Sequence, residues 1–131
     1  MIQHIAHIGY CVNSIDETIA FFKAFAEVKE LSRAAYPDRG QVSAIVQIGD
    51  KAELLELMEP LGDEGVVASF IQKRGQGLHH ISLFTDDLDG TCRQMEDGGI
   101  RIVGKTQGIA FTHPKTSGGV VYEITDGTFK E

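Results

Sequence analysis

Apolar and polar positions alternate along residues 4–12, with Ile5, His7, Gly9 and Cys11 on one side and His4, Ala6, Ile8, Tyr10 and Val12 on the other, the period of a β-strand. The period then lengthens. Ser14 followed three residues later by Glu17 is a capping box, and Ile15, Ile19, Phe22 and Ala26 keep helical spacing behind it, predicting a helix over about 15–26. Strand-like segments follow at 28–34, 42–48 and 53–59, punctuated by Pro37-Asp38-Arg39-Gly40 and Gly49-Asp50. Asp63 and Glu64 precede Val66, Val67, Phe70 and Ile71, which predicts a linker helix over about 64–74, stopped by Gly75 and Gly77. A strand at 78–85 carries His80. Asp86 and Asp87 cap a helix over 88–97 that Gly98-Gly99 ends, and shorter strands fall near 101–103, 108–112 and 119–125.

The order βαβββ thus occurs twice, and residue identities repeat with it. His7-Ile8, Ile15-Asp16 and Thr18 recur 73 residues later as His80-Ile81, Leu88-Asp89 and Thr91. Leu55-Glu56-Leu57 recurs 67 residues later as Tyr122-Glu123-Ile124, so the second copy is six residues shorter between its His and its Glu. Units this small do not each close a core. The expectation is one domain, 1–131, built of repeat units 1–62 and 76–131 that pair into a single sheet-rich α+β core, with the linker helix between them.

Composition narrows the partners. In 131 residues, 12 Lys and Arg stand against 19 Asp and Glu, a formal net charge of −7, which offers too little positive charge to displace the counterions of a nucleic acid. Apolar runs such as Gly65-Val66-Val67-Ala68 fall far short of the ~20 residues of a membrane span. The start, Met1-Ile2-Gln3-His4-Ile5, has no basic or apolar export signal, so the expected location is the cytoplasm. There Cys11 and Cys92 serve as small buried hydrophobes rather than as a disulfide.

The candidate chemistry lies in the repeated His and Glu. His7 shares its strand face with Ile5, Gly9 and Cys11, and His80 with Leu78, Ser82 and Phe84, so both imidazoles are expected among apolar neighbours. Glu56 lies on the face of Leu54 and Met58, and Glu123 on that of Val121 and Thr125, where an ionised carboxylate needs a partner or a metal. A strand His is ordinarily a hydrogen-bonded core group and a strand Glu a solvated one. Their occurrence at matching places in both copies favours a four-ligand set of His7, Glu56, His80 and Glu123 for a divalent ion, with Zn, Ni, Co and Mn all suited.

The segments His7-Ile8-Gly9-Tyr10-Cys11-Val12, Glu56-Leu57-Met58-Glu59-Pro60-Leu61-Gly62, Arg74-Gly75-Gln76-Gly77-Leu78-His79-His80-Ile81, His113-Pro114-Lys115 and Gly118-Gly119-Val120-Val121-Tyr122-Glu123 resemble the methylmalonyl-CoA epimerases of the vicinal oxygen chelate (glyoxalase/bleomycin resistance/dioxygenase) superfamily over nearly the whole chain. The resemblance implies two paired βαβββ modules forming a curved mixed sheet around a metal, and a homodimer. It implies His7, His80 and Glu123 as ligands, with Glu56 at the position of a fourth. It also implies removal of the proton α to an acyl-CoA thioester carbonyl through a metal-stabilised enolate, with Glu123 doubling as base; Glu56, the equivalent acid of the first repeat, is the other candidate catalytic residue of this chain.

Of the paired histidines, His80 aligns with His7 and His79 points the other way. Lys73, Arg74, Lys105 and Lys115 are the cations that CoA phosphates could meet, but for scattered surface cations plain solvation is the better explanation. The chain departs from the epimerase pattern twice: the Pro37–Gly40 turn is followed by Gln41, Val42 and Ser43 with no acid, and only a short loop, 104–109, leads into the His-Pro-Lys motif. Two other readings stand beside the epimerase. A glyoxalase I-type lactoylglutathione lyase shares the His, Glu, His, Glu set, and a non-catalytic binder of small molecules uses the same cavity without turnover.

Overall fold

The two predicted runs of βαβββ form as β1 (Ile2–Cys11), α1 (Ile15–Lys23), β2 (Val28–Tyr36), β3 (Gln41–Ile48) and β4 (Leu54–Pro60), then, after α2 (Val66–Arg74), as β5 (Gly77–Thr85), α3 (Leu88–Asp97), β6 (Ile102–Thr106), β7 (Ile109–Thr112) and β8 (Val121–Thr125). This computed structural model describes residues 1–51 and 53–129. Ala52, Lys130 and Glu131, which fall inside the predicted repeat units, lie outside the described residues. The class is α+β, and the described residues hold three α-helices and eight strands. No helix among the described residues is long and apolar enough to cross a membrane. The chain divides into two compact units, residues 8–79 and residues 1–7 with 80–131.

In the unit of residues 8–79 the strands run in the order β2-β3-β4-β1. The β2/β3 and β3/β4 pairs are antiparallel, whereas β4 lies parallel to β1, with Gly9 opposite Glu56 and Tyr10 opposite Leu57. Parallel neighbours need a crossover, and α1 supplies the start of it. Its first turn is capped twice, by Ser14 Oγ accepting from Glu17 N at 3.1 Å and by Glu59 accepting from Ile15 N at 2.7 Å. The helix stops at Lys23 rather than near Ala26, because the last residues tighten into turns in which the N–H groups of Phe25 and Ala26 both reach back to the Phe22 carbonyl. Ile15 and Ile19 then pack with Val12, Ala44, Val46 and Leu57.

A second cluster in this unit joins Cys11, Met58 and Val67, with Phe70 and Ile71 of α2 against it. The α2 cap is Gly65 rather than the Asp63-Glu64 pair that precedes it. Gly40, which ends a 3₁₀ turn over Pro37–Arg39, and Gly65 both have positive φ, 71° and 110°. A Cβ at Gly40 would overlap the Glu64 carbonyl oxygen and one at Gly65 that of Arg39, so both places require glycine.

In the unit of residues 1–7 and 80–131 the order is β1-β5-β8-β7-β6. β8 lies parallel to β5, with Ser82 opposite Glu123 and Leu83 opposite Ile124, and antiparallel to β7. Asp87 caps α3 by accepting from Gly90 N at 3.0 Å, while Asp86 instead meets the N-terminal amine at 2.9 Å. Strand β6 extends to Thr106, where a loop over 104–109 was expected. Thr106 pairs with Ile109, and Gln107-Gly108 is a two-residue hairpin turn with Gly108 at φ 83°. Gly104, Lys105 and Thr106 show no apolar alternation because they lie on an edge strand and are exposed.

The 73-residue offset of the first strands and the 67-residue offset of the last ones carry one register onto the other: Gly9 opposite Glu56 becomes Ser82 opposite Glu123. The cores correspond as well. Ile15, Ile19, Ala44 and Leu57 have as counterparts Leu88, Cys92, Ala110 and Ile124, which form the second unit's cluster. Where the first core has Val12 and Val46, the second has the buried Thr85 and Thr112, whose hydroxyls bond Thr91 at 2.7 Å and Ser117 at 2.8 Å. Leu57→Ala is expected to lower unfolding free energy by about 2–5 kcal/mol. Phe25→Ala, at an 80% exposed position, is expected to change it by less than about 0.5 kcal/mol. Urea unfolding midpoints at unchanged m-value check both.

Candidate functional site

Three of the four candidate ligands belong to one unit. β1 carries His7, β5 carries His80 and β8 carries Glu123, the last two buried, at 5% and 8% exposure. The imidazoles meet edge to face, their planes 77° apart, with the two Nε2 atoms separated by 3.2 Å. His7 Nε2 is also 3.4 Å from Glu123 Oε2. Two facing imidazole nitrogens cannot both present lone pairs without repulsion, so one of them donates a proton or both turn to a shared cation. The buried Glu123 carboxylate adds negative charge at the same place, which would cost several kcal/mol if left uncompensated.

The spacing of these atoms suits a metal. Donors about 2.1 Å from one divalent ion stand about 3.0 Å apart at neighbouring octahedral positions and about 3.4 Å apart at tetrahedral ones. The separations here, 3.2 and 3.4 Å, fall in that range. Imidazole nitrogen and carboxylate oxygen are the donor types of first-row divalent ions.

The surroundings differ from the apolar enclosure expected of both histidines. Cys11 is buried as anticipated, but Ile5 is 60% and Leu78 66% exposed. Among the described residues, the one buried side-chain polar atom without a hydrogen-bond partner is Ser82 Oγ. Ser82 is fully buried and sits opposite Glu123. A hydroxyl left in that state costs about 1–3 kcal/mol. The strand pattern places Ser82 only as a face neighbour of His80; the signal that would have singled it out is its register position, two residues past His80 and equivalent to Gly9.

Glu56 lies on β4 in the unit of residues 8–79, half-buried and opposite Gly9. Burial, and to a lesser degree the charge of Glu56, push the Cys11 thiol up to about 11. His79 is placed apart from His80: its ring meets Phe70 edge-on at 5.5 Å, and Phe70 also carries the Arg74 guanidinium at 5.5 Å. Gln41 and Ser43 hold no acid and bond each other, the Gln41 amide donating to Ser43 Oγ at 2.9 Å. Of the cations considered for phosphate, Lys105 is paired with Asp89 at 2.6 Å, which raises the lysine and lowers the carboxyl relative to their ordinary values.

The model of the Glyoxalase/Bleomycin resistance protein/Dioxygenase superfamily matches residues 6–116. The human mitochondrial methylmalonyl-CoA epimerase is 26% identical over 126 residues, covering 90% of this chain and 70% of its own. Among solved structures, the methylmalonyl-CoA epimerase of Mycobacterium tuberculosis superposes with a TM-score of 0.84 at 29% identity, covering 95% of this chain and 87% of that one. A variant of the Streptomyces coelicolor methylmalonyl-CoA epimerase, in complex with 2-nitronate-propionyl-CoA, superposes with a TM-score of 0.83 at 27% identity, covering 95% and 96%.

The Cys11 thiol gives a pH signature. A thiol ionises near 9 in the unfolded chain and near 11 here, so between those values the folded state holds a proton that the unfolded state has lost. Stability is therefore present below about pH 9 and falls as pH rises toward 11. Urea unfolding over pH 8–11 is expected to show that decline and Cys11→Ala to reduce it, the Cys92 thiol, which burial also raises, contributing in the same direction.

Proposed function

Because the chain belongs to the Glyoxalase/Bleomycin resistance protein/Dioxygenase superfamily, we propose that it is a metal-dependent isomerase resembling methylmalonyl-CoA epimerase, which removes the proton α to an acyl-CoA thioester carbonyl. The observation that carries this reading is the convergence of His7 Nε2, His80 Nε2 and Glu123 Oε2. His7, His80 and Glu123 would hold the ion, with Glu56, the repeat equivalent of Glu123, as the fourth donor on sequence equivalence alone. A divalent ion bound there supplies a Lewis acid that stabilises negative charge on the thioester oxygen.

The protein's own residues do the remaining work. Glu123 has two carboxylate oxygens; Oε2 faces His7, which leaves Oε1 to accept the α-proton. Burial keeps water from competing for that proton. Inverting the carbon also requires a proton returned from the opposite side, and Gln41 and Ser43, on the strand after the Pro37–Gly40 turn, are not acids that could supply it. The similarity to relatives named methylmalonyl-CoA epimerases, one of them holding 2-nitronate-propionyl-CoA, supports an acyl-CoA as the substrate class.

Proton NMR of methylmalonyl-CoA in D2O tests the reading. The Co-loaded protein is expected to exchange the α-proton, EDTA to stop the exchange and added Co2+ to restore it. Glu123→Gln is expected to slow it at least about 100-fold, the scale of a lost general base. Failure of the loaded wild-type protein to exchange the proton would overturn the proposal. His80→Ala is further expected to weaken Co2+ binding at least about tenfold by calorimetry, as loss of a ligand exceeds loss of an outer partner.

A further inference from the structure

The repeat makes Glu56 and Glu123 equivalent, yet it gives them different neighbours. Glu56 stands opposite Gly9, which has no side chain, and Glu123 stands opposite Ser82. Register partners on adjacent parallel strands are about 4.8 Å apart and project from the same face. Ser82 therefore brings one hydroxyl to the Glu123 side of the repeat and nothing corresponds to it on the Glu56 side. That hydroxyl is fully buried and unpartnered. Alanine would occupy nearly the same space without a polar atom to desolvate.

We propose that Ser82 is a positioning residue for Glu123, its hydroxyl, which makes no bond in this structure, donating to the carboxylate when the Glu123 side chain turns toward it. His7 Nε2 faces Oε2, so the oxygen available to Ser82 is Oε1, the one assigned to the α-proton. A carboxylate with each oxygen held by a different partner has little freedom to turn, and outer partners of this kind govern how well a ligand or base is aimed. A hydroxyl also suits a group that changes protonation, because it donates to the ionised carboxylate and, after rotating, accepts from the carboxylic acid. The difference between Gly9 and Ser82 thus separates the two acids: the strand partner of Glu123 brings a hydroxyl that can hold a carboxylate oxygen, and the strand partner of Glu56 has no side chain to do so. This inference rests on the proposed function only in naming Glu123 as the base; the pairing of Ser82 with Glu123 does not need it.

The test uses the full chain, first without added metal. Ser82→Ala is expected to lower Tm by about 4 °C, the scale of one lost buried hydrogen bond in a chain of this size. In a Glu123→Leu background, which removes the acceptor, the same change is expected to leave Tm unchanged or raise it. Loss of Tm of equal size in both backgrounds, or no loss in either, would overturn the pairing. With Co2+ and methylmalonyl-CoA, Ser82→Ala is expected to cut kcat for proton exchange about 10–100-fold with KM unchanged; an unchanged kcat would overturn the positioning role. If wild-type protein shows no exchange while the Tm coupling is present, the functional reading fails and the pairing stands. Exchange without Tm coupling has the opposite meaning.

Discussion

Each repeat closes by laying its last strand parallel to its first, and the location of every candidate side chain follows from that pairing. Because side chains alternate along a strand, a slip of one residue would turn Glu56 or Glu123 to the opposite face and bring Leu57 or Ile124 out of the core in its place. The register is held from the side away from the site. Ile15 and Ile19 on α1, and Leu88 and Cys92 on α3, pack in the clusters that contain Leu57 and Ile124. The apolar helix faces thereby fix which carboxylates face the other way.

The two cores are not equally apolar, and the difference follows the chemistry. The unit that holds His7, His80 and Glu123 replaces Val12 and Val46 of the other with Thr85 and Thr112, and adds the buried Ser82. Thr85, bonded to Thr91, and Thr112, bonded to Ser117, satisfy their hydroxyls at little net cost. Ser82 lacks that compensation and sits beside the buried carboxylate. A unit organised to hold charge gives up hydrophobic burial to do so, while the other keeps a wholly aliphatic cluster around Leu57.

Much of this was legible in the sequence, for physical reasons. The capping box at Ser14 and Glu17 marks the start of α1 because the bond it encodes is local, and the repeated offsets expose the pairing of histidines because duplicated strands keep their register. What the sequence concealed depended on contacts distant along the chain. Glu59 caps α1 from β4, Gly65 rather than an acid precedes α2 because Gly40 lies against it, and β6 runs on through Lys105 because an edge strand needs no apolar alternation. Ser82 was visible only as a neighbour of His80, since its burial and lack of a partner belong to the packed molecule.

The mutual approach of Gly40 and Gly65 bears on how this chain can vary in length. Two backbones that close leave no room for an inserted residue at either end of the intervening segment, since any shift in phase would bring a Cβ or a displaced carbonyl into the gap. The exposed turn at Gly49-Asp50 lies outside that constraint, and an added Cβ at Gly49 meets nothing. Insertions and deletions in related chains should therefore accumulate at the β3–β4 turn and spare the turn before β3 and the entry to α2, leaving the register of Glu56 untouched as the loops diverge.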